Sequence, residues 1–202
     1  MYESSMHCLP LLLEIEKGFD GFLCACYADH PLVRLLQSYI SSKPVVGIFD
    51  ATIMAGLQLV SDESKFGIIT TGVLYEALLQ QSVEALLGAE ENISASFGGV
   101  AASEVGLNDL QYDSRRSAKE KVMNATRRLL QNNPGQLNVI IMGGVILAGM
   151  EPWVHEASVL ELGMEKAKSI KVIDQLRAGL LTLMAMLRDQ NLHSLDYRLA
   201  LI

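Results

Sequence analysis

Long apolar runs are missing from this chain. The longest nearly uncharged one, Val139 to Met150, falls well short of the roughly 18 to 20 residues that a membrane-spanning helix needs, so it is read as a buried strand entering a turn and no membrane partner is expected. Positive charge is scarce too. Lys and Arg number 16 against 23 Asp and Glu, for a net charge of −7, and no basic cluster is interleaved with aromatics, which removes the footprint of a nucleic-acid or anionic-membrane binder. Cysteine is limited to Cys8, Cys24 and Cys26. That is a poor disulfide framework in a chain of this size and fits free thiols in a reducing, cytoplasmic compartment. The opening Met1-Tyr2-Glu3-Ser4 has neither the positive start nor the apolar stretch of a secretory signal. Internal repeats and low-complexity segments are absent.

What is present is a half-hydrophobic sequence of 202 residues, enough for one large domain or two small α/β lobes with real cores. Stretches rich in Val, Ile, Leu and Phe alternate with longer stretches of helical period, the pattern of an α/β fold with mainly parallel sheets and crossover helices. Strands are expected at Gly21 to Cys26, Val45 to Phe49, Phe66 to Thr70, Ile93 to Phe97, Val139 to Met142 and Ile170 to Asp174. Leu32, Leu35, Leu36, Tyr39 and Ile40 share one helix face, with Pro31 in the first turn and Asp29 or His30 as cap. Further helices are expected from Asp50 as cap through Val60, from Val73 to Leu87, from about Ser114 to Leu130, and after Gly149 and Asp174. A helix from Ser4 to Lys17, broken near Pro10, opens the chain. The stretch from Gly98 to Asp113 reads as a loop long enough to carry function.

Ligands of open α/β sheets bind beyond the carboxyl ends of the strands. The residues expected there are Cys26 through Pro31, Asp50-Ala51, Thr70-Thr71-Gly72, Phe97-Gly98-Gly99 and Gly143-Gly144. Cys26 stands where a strand gives way to a helix, whose backbone N–H groups and dipole would favour its thiolate. A cysteine at a strand end is otherwise a small buried residue. Cys24, Cys26 and His30 form a poor metal site, because they lack C-x₂-C spacing and a fourth ligand nearby. Thr70-Thr71-Gly72 offers hydroxyls and backbone donors to a carboxylate or imide, or is an ordinary helix cap. Trp153 is expected to pack and His155 to lie at the surface.

The segment Gly18-Phe19-Asp20-Gly21-Phe22-Leu23-Cys24-Ala25-Cys26-Tyr27-Ala28-Asp29-His30-Pro31-Leu32 resembles the first-cysteine segment of hydantoin racemase relatives in the aspartate/glutamate racemase superfamily. There a buried strand ends in Ala-Cys-Tyr/Phe-Ser/Gly-Asp. Pro44-Val45-Val46-Gly47-Ile48-Phe49-Asp50-Ala51, Lys65-Phe66-Gly67-Ile68-Ile69-Thr70-Thr71-Gly72 and Lys171-Val172-Ile173-Asp174 follow in the order of that family, and the similarity is greatest to its fungal-type members.

The resemblance implies two flavodoxin-like lobes with mainly parallel sheets, residues 1–62 plus 175–202 and residues 63–174. It implies racemisation of a hydantoin-like or amino-acid-derived small molecule between the lobes by cysteine acid/base chemistry, with no metal, pyridoxal phosphate or nicotinamide. Cys26 takes the catalytic place, and Thr70, Thr71, Gly72, Gly143 and Gly144 take the substrate-binding one. Two departures accompany it. Gly144 stands where the family's second cysteine is found, in Met142-Gly143-Gly144-Val145-Ile146-Leu147-Ala148-Gly149-Met150. Relatives also begin with a strand and an Asn-Pro-Asn-Thr loop, so the first lobe is expected to lack its first strand and keep an unpaired strand edge, which favours homo-oligomers. The alternative is a non-catalytic relative that binds a small molecule or forms an oligomer.

Overall fold

The computed structural model describes residues 2–88, 93, 95–110, 115–190 and 198–202. In chain order the main elements are α1 (Tyr2–Ile15), β1 (Gly21–Cys24), α2 (Pro31–Tyr39), β2 (Val45–Gly47), α3 (Ile48–Leu59), β3 (Lys65–Thr70), α4 (Val73–Leu87) and β4 (Phe97–Ala102). They are followed by α5 (Arg115–Asn132), β5 (Leu137–Gly143), α6 (Glu151–Leu162), the single-turn α7 (Met164–Ala167), β6 (Lys171–Ile173), α8 (Gln175–Gln190) and β7 (Leu199–Leu201). Two compact units result, one from Met1–Ala51 with Leu176–Ile202 and the other from Thr52–Gln175. The chain is therefore α/β, with one sheet in each unit.

The first unit holds a three-stranded sheet in the order β2-β1-β7, with both pairings parallel. Every residue of β1 is buried, as expected of a central strand covered on both faces. Leu9 and Leu12 of α1, and Leu32, Val33 and Leu36 of α2, close over Phe22, Cys24 and Val45. Among the described residues β1 is paired on both sides, and the outer edges of the sheet are those of β2 and β7. Phe22 pairs with Ala200, and the ladder continues as Ala25 N–H donates to Ile202 O at 2.6 Å and Ile202 N–H to Leu23 O at 2.8 Å. Pro10 lies inside α1 without ending it.

The second unit holds the four-stranded parallel sheet β4-β3-β5-β6. Ala118, Val122, Ala125 and Leu129 line one side of α5 and pack with Ile69, Ile140 and Met142, and Leu147 and Val154 complete that core. Trp153 packs at its margin, and His155 is exposed.

The fourth strand corrects the sequence reading. It runs from Phe97 to Ala102, whereas Ile93, Ala95 and Ser96 are helical, so the first five residues of the expected loop, 98–102, are strand; residues 111–113 of that expected loop lie outside the described residues. The Gly-Gly pair read as part of a loop, but at Gly98 the strand passes close to Asn133 and Leu137. A Cβ there would stand 2.9 Å from Asn133 Oδ1 and 3.0 Å from Leu137 Cδ1. Asn133 Nδ2 ties the strand to α5 by donating to Gly98 O at 2.8 Å and to Leu129 O at 3.0 Å.

Candidate active site

The carboxyl end of the first sheet carries the cysteine. β1 stops at Cys24, two residues short of the expected end, and Cys24 is buried while Cys26 is exposed. Tyr27 turns inward, its ring edge-on to Phe49 at 5.7 Å and 80°, and Ala28 N–H donates to Cys26 O at 3.0 Å. Together these anchor the backbone on the far side of Cys26 while its side chain stays accessible. The sulfur nevertheless gives up water contacts to its surroundings, and that desolvation pushes the thiol above its ordinary pKa.

This reverses the expected electrostatics. Helix α2 begins only at Pro31, which has no N–H, and its first free donors are already used by its cap: Leu32 N–H reaches His30 Nδ1 at 3.3 Å and Val33 N–H reaches His30 O at 3.1 Å. No helix N–H is left to lower the Cys26 thiol, and that terminus stabilises a histidine instead. Burial holds His30 below its usual pKa and so in the neutral form that can accept the capping bond.

Asp50 was expected to cap the second helix, yet α3 begins at Ile48 and Asp50 falls within its first turn. Its carboxylate lies against Gly47, where an added Cβ would meet Oδ2 at 2.8 Å, and Gly47 is the strand partner of Cys24. Burial raises its pKa, the nearby Asp29 charge adds to the rise, and Arg34 opposes it.

In the second unit the remaining candidate residues meet around one turn. Thr70 and Gly143 are partners in the β3–β5 ladder, and the buried Thr70 hydroxyl donates to Gly143 O at 3.1 Å. Thr70 O in turn accepts from Ser103 N–H at 2.7 Å and Ser103 Oγ at 2.9 Å. Thr70 therefore spends its proton on the sheet. Gly72 caps α4 without a side chain, and its O accepts from Tyr75 N–H at 2.9 Å.

Gly144 stands at the end of β5 with an extended backbone, φ 170°, and a Cβ there would lie 2.9 Å from the Thr71 methyl. Its carbonyl accepts from Leu147 N–H and from Gln175 Nε2, each at 2.8 Å. Gln175 and Ser103 escaped the sequence reading. The signal for Gln175 was its place one residue after Asp174 at a strand end; Ser103 was hidden because β4 had been placed too early.

Two clefts of about 330 and 240 Å³ open at the other ends of the strands, near Pro44-Val45 and near Leu137-Asn138. Neither is lined by a cysteine. Among the described residues no three His, Cys, Asp or Glu side chains gather as metal ligands, and no helix is long and apolar enough to cross a membrane.

The sequence pattern of the Asp/Glu/Hydantoin racemase family matches residues 2–182. The chain belongs to this family. "Uncharacterized protein C1F7.10" of Schizosaccharomyces pombe is similar to this chain, 34% identical over 169 residues, covering 84% of this chain and 63% of the relative. "Protein DCG1" of Saccharomyces cerevisiae is 29% identical over 114 residues, covering 51% of this chain and 46% of the relative. The racemase-family chain thus spans less than two thirds of the length of either. Its fold is similar to that of the glutamate racemase isoform RacE1 from Bacillus anthracis, with a TM-score of 0.63 at 13% identity over 100% of this chain and 71% of the other. This likeness supports the two-sheet α/β fold.

Proposed function

We propose that the chain is a cofactor-independent racemase-type isomerase of small hydantoin-like or amino-acid-derived molecules, with Cys26 as the base. The observation that carries this reading is an exposed cysteine at the carboxyl end of a buried central strand, in a chain of the racemase family. The Cys26 thiolate removes the proton from the carbon next to a carbonyl, and the electron pair moves onto that carbonyl oxygen as an enolate. Backbone N–H groups and the Thr71 hydroxyl at the strand ends are suited to stabilise such an oxyanion. A raised thiol pKa makes the thiolate rarer at neutral pH but a stronger base once formed.

Gly144 brings no acid of its own. If a second acid is lacking, the proton returns from water or from the Cys26 thiol, and loss of a positioned acid costs about 10²–10⁴ in rate. Incubation with an enantiopure 5-substituted hydantoin in D₂O tests the reading. Deuterium should enter the stereogenic carbon faster than in buffer, and Cys26→Ala should abolish the excess; uptake equal to buffer for the unaltered chain rules the activity out.

The raised Cys26 thiol and the bare Gly144 also favour a second reading, a relative that binds such molecules without turning them over. A thermal shift with hydantoins in the absence of exchange would support it.

A further inference from the structure

The cleft of about 240 Å³ at the start of β5 has no part in the chemistry proposed for Cys26. β5 is seven residues long, which puts about 20 Å between its start and the Gly143-Gly144 turn. The walls of the cleft are aliphatic: Leu130 from α5, Leu137 from β5, Leu162 from α6 and Ile170 just before β6. Four polar side chains stand among them. Two are engaged, since Asn133 Nδ2 donates to Gly98 O and Leu129 O, and Ser169 Oγ donates to Lys166 O. The other two, the Asn138 amide and the Lys166 ammonium, have no partner among the described residues.

Both placements are unusual. Asn is a poor strand residue, yet Asn138 sits in β5 where the β3–β5 register shifts: Lys65 pairs with Leu137 and Phe66 with Val139, which leaves Asn138 as the extra residue. A bulge of this kind re-aims a side chain. The carboxylates closest to Lys166 in sequence are already taken, Glu165 by Lys168 at 2.7 Å and Glu161 by Arg127 at 3.5 Å and Gln131 at 2.9 Å. We propose that the cleft binds a small aliphatic monocarboxylate, its chain between the four aliphatic walls and its carboxylate against the Lys166 ammonium and the Asn138 amide N–H. One ammonium balances one negative charge, and both groups are donors that a carboxylate can accept from. No lining residue is acidic, so nothing there answers the ammonium group of a free amino acid, which Lys166 repels. An apolar cavity of about 150 Å³ takes a benzene ring, and this larger cleft suits a chain of about six carbons.

Burying about five carbons of hexanoate gives an affinity on the order of 1 mM, a range that NMR titration of the methyl-labelled full chain reads. Hexanoate should shift the Ile170 and Leu162 methyl signals and show intermolecular NOEs to them. Butanoate, two methylenes shorter, should bind about 10-fold more weakly. Hexanamide, a neutral analogue of the same length, should bind about 2–5-fold more weakly, the range for an exposed ion pair. Lys166→Gln, at an exposed position, should weaken hexanoate by the same factor and abolish its preference over hexanamide, and Lys166→Arg should restore both. Equal binding of hexanoate and hexanamide by the unaltered chain overturns the proposal, as does a preference that survives in Lys166→Gln. Shifts that avoid the Ile170 and Leu162 methyls, the mark of adsorption elsewhere, overturn it too. So does the absence of any shift at about 10 mM hexanoate, tenfold above the expected affinity. The comparisons made on the unaltered chain do not depend on a variant folding.

Discussion

Placing a cysteine at residue 144 is the most informative perturbation of the second unit. Gly144 has an extended backbone that any residue adopts, so Gly144→Cys meets no backbone strain. Its obstacle is a single atom, the Thr71 methyl 2.9 Å from the new Cβ, with Leu147 at an ordinary 3.9 Å. Overpacking of this kind costs about 1–3 kcal/mol. For a chain of this size, about 2 kcal/mol corresponds to a melting-temperature drop of roughly 4–8 °C. Thr71→Ser removes that methyl and keeps the hydroxyl, so the double variant Thr71→Ser/Gly144→Cys should recover most of the loss, with a coupling energy of about 1–2 kcal/mol in a double-mutant cycle. Thermal unfolding followed by circular dichroism measures all four proteins. Additive effects, with no recovery in the double variant, would refute the close contact and with it the view that Thr71 occupies the space of a residue-144 side chain. In the exchange assay, the double variant should convert deuterium uptake into loss of optical activity if the new thiol reaches the second face of the substrate.

Alkylation of Cys26 by iodoacetamide, read by mass spectrometry, should follow a pH profile whose midpoint lies above the ordinary thiol value of about 8.5, because the desolvated thiol ionises late; a midpoint below neutrality would contradict the assigned environment. His30 has a folded pKa below its unfolded value, so the stability that its neutral form confers on α2 is complete above about pH 6.5 and is lost as pH falls through the lowered folded pKa. His30→Asn keeps a capping acceptor and should reduce that loss in acid melts, and an unchanged pH dependence would show that the cap does not titrate there. Asn133→Ala removes one hydrogen bond to Gly98 O of β4 and one to Leu129 O of α5 and should cost about 1–3 kcal/mol by chemical denaturation; a change within about 0.5 kcal/mol, typical of surface substitutions, would mean that this side chain does not hold the strand. Deleting residues 198–202 strips the partners from Leu23 O and Ala25 N–H, so exchange of the Ala25 amide should accelerate sharply, as measured by hydrogen-exchange mass spectrometry.

The chain's own pattern determined the α/β class, the parallel sheets, the α4 limits from Val73 to Leu87, and the placement of Cys26, Thr70, Thr71 and Gly143-Gly144 just at or beyond strand ends. Each follows from local periodicity and from where buried segments stop. Contacts between residues distant in sequence had to be seen in the fold. Gly98 read as the start of a loop until Asn133 and Leu137 were found against it, and the first lobe read as short of a strand until Leu199–Leu201 was found in the ladder of β1. The Cys26 thiolate looked favoured by a helix whose first N–H groups are in fact spent on His30. Gln175 drew no notice as one polar residue among many, because its bond to Gly144 O joins residues distant in sequence. Periodicity records which face of an element is buried; which groups meet there, and which of them go unsatisfied, is decided by packing across the whole chain.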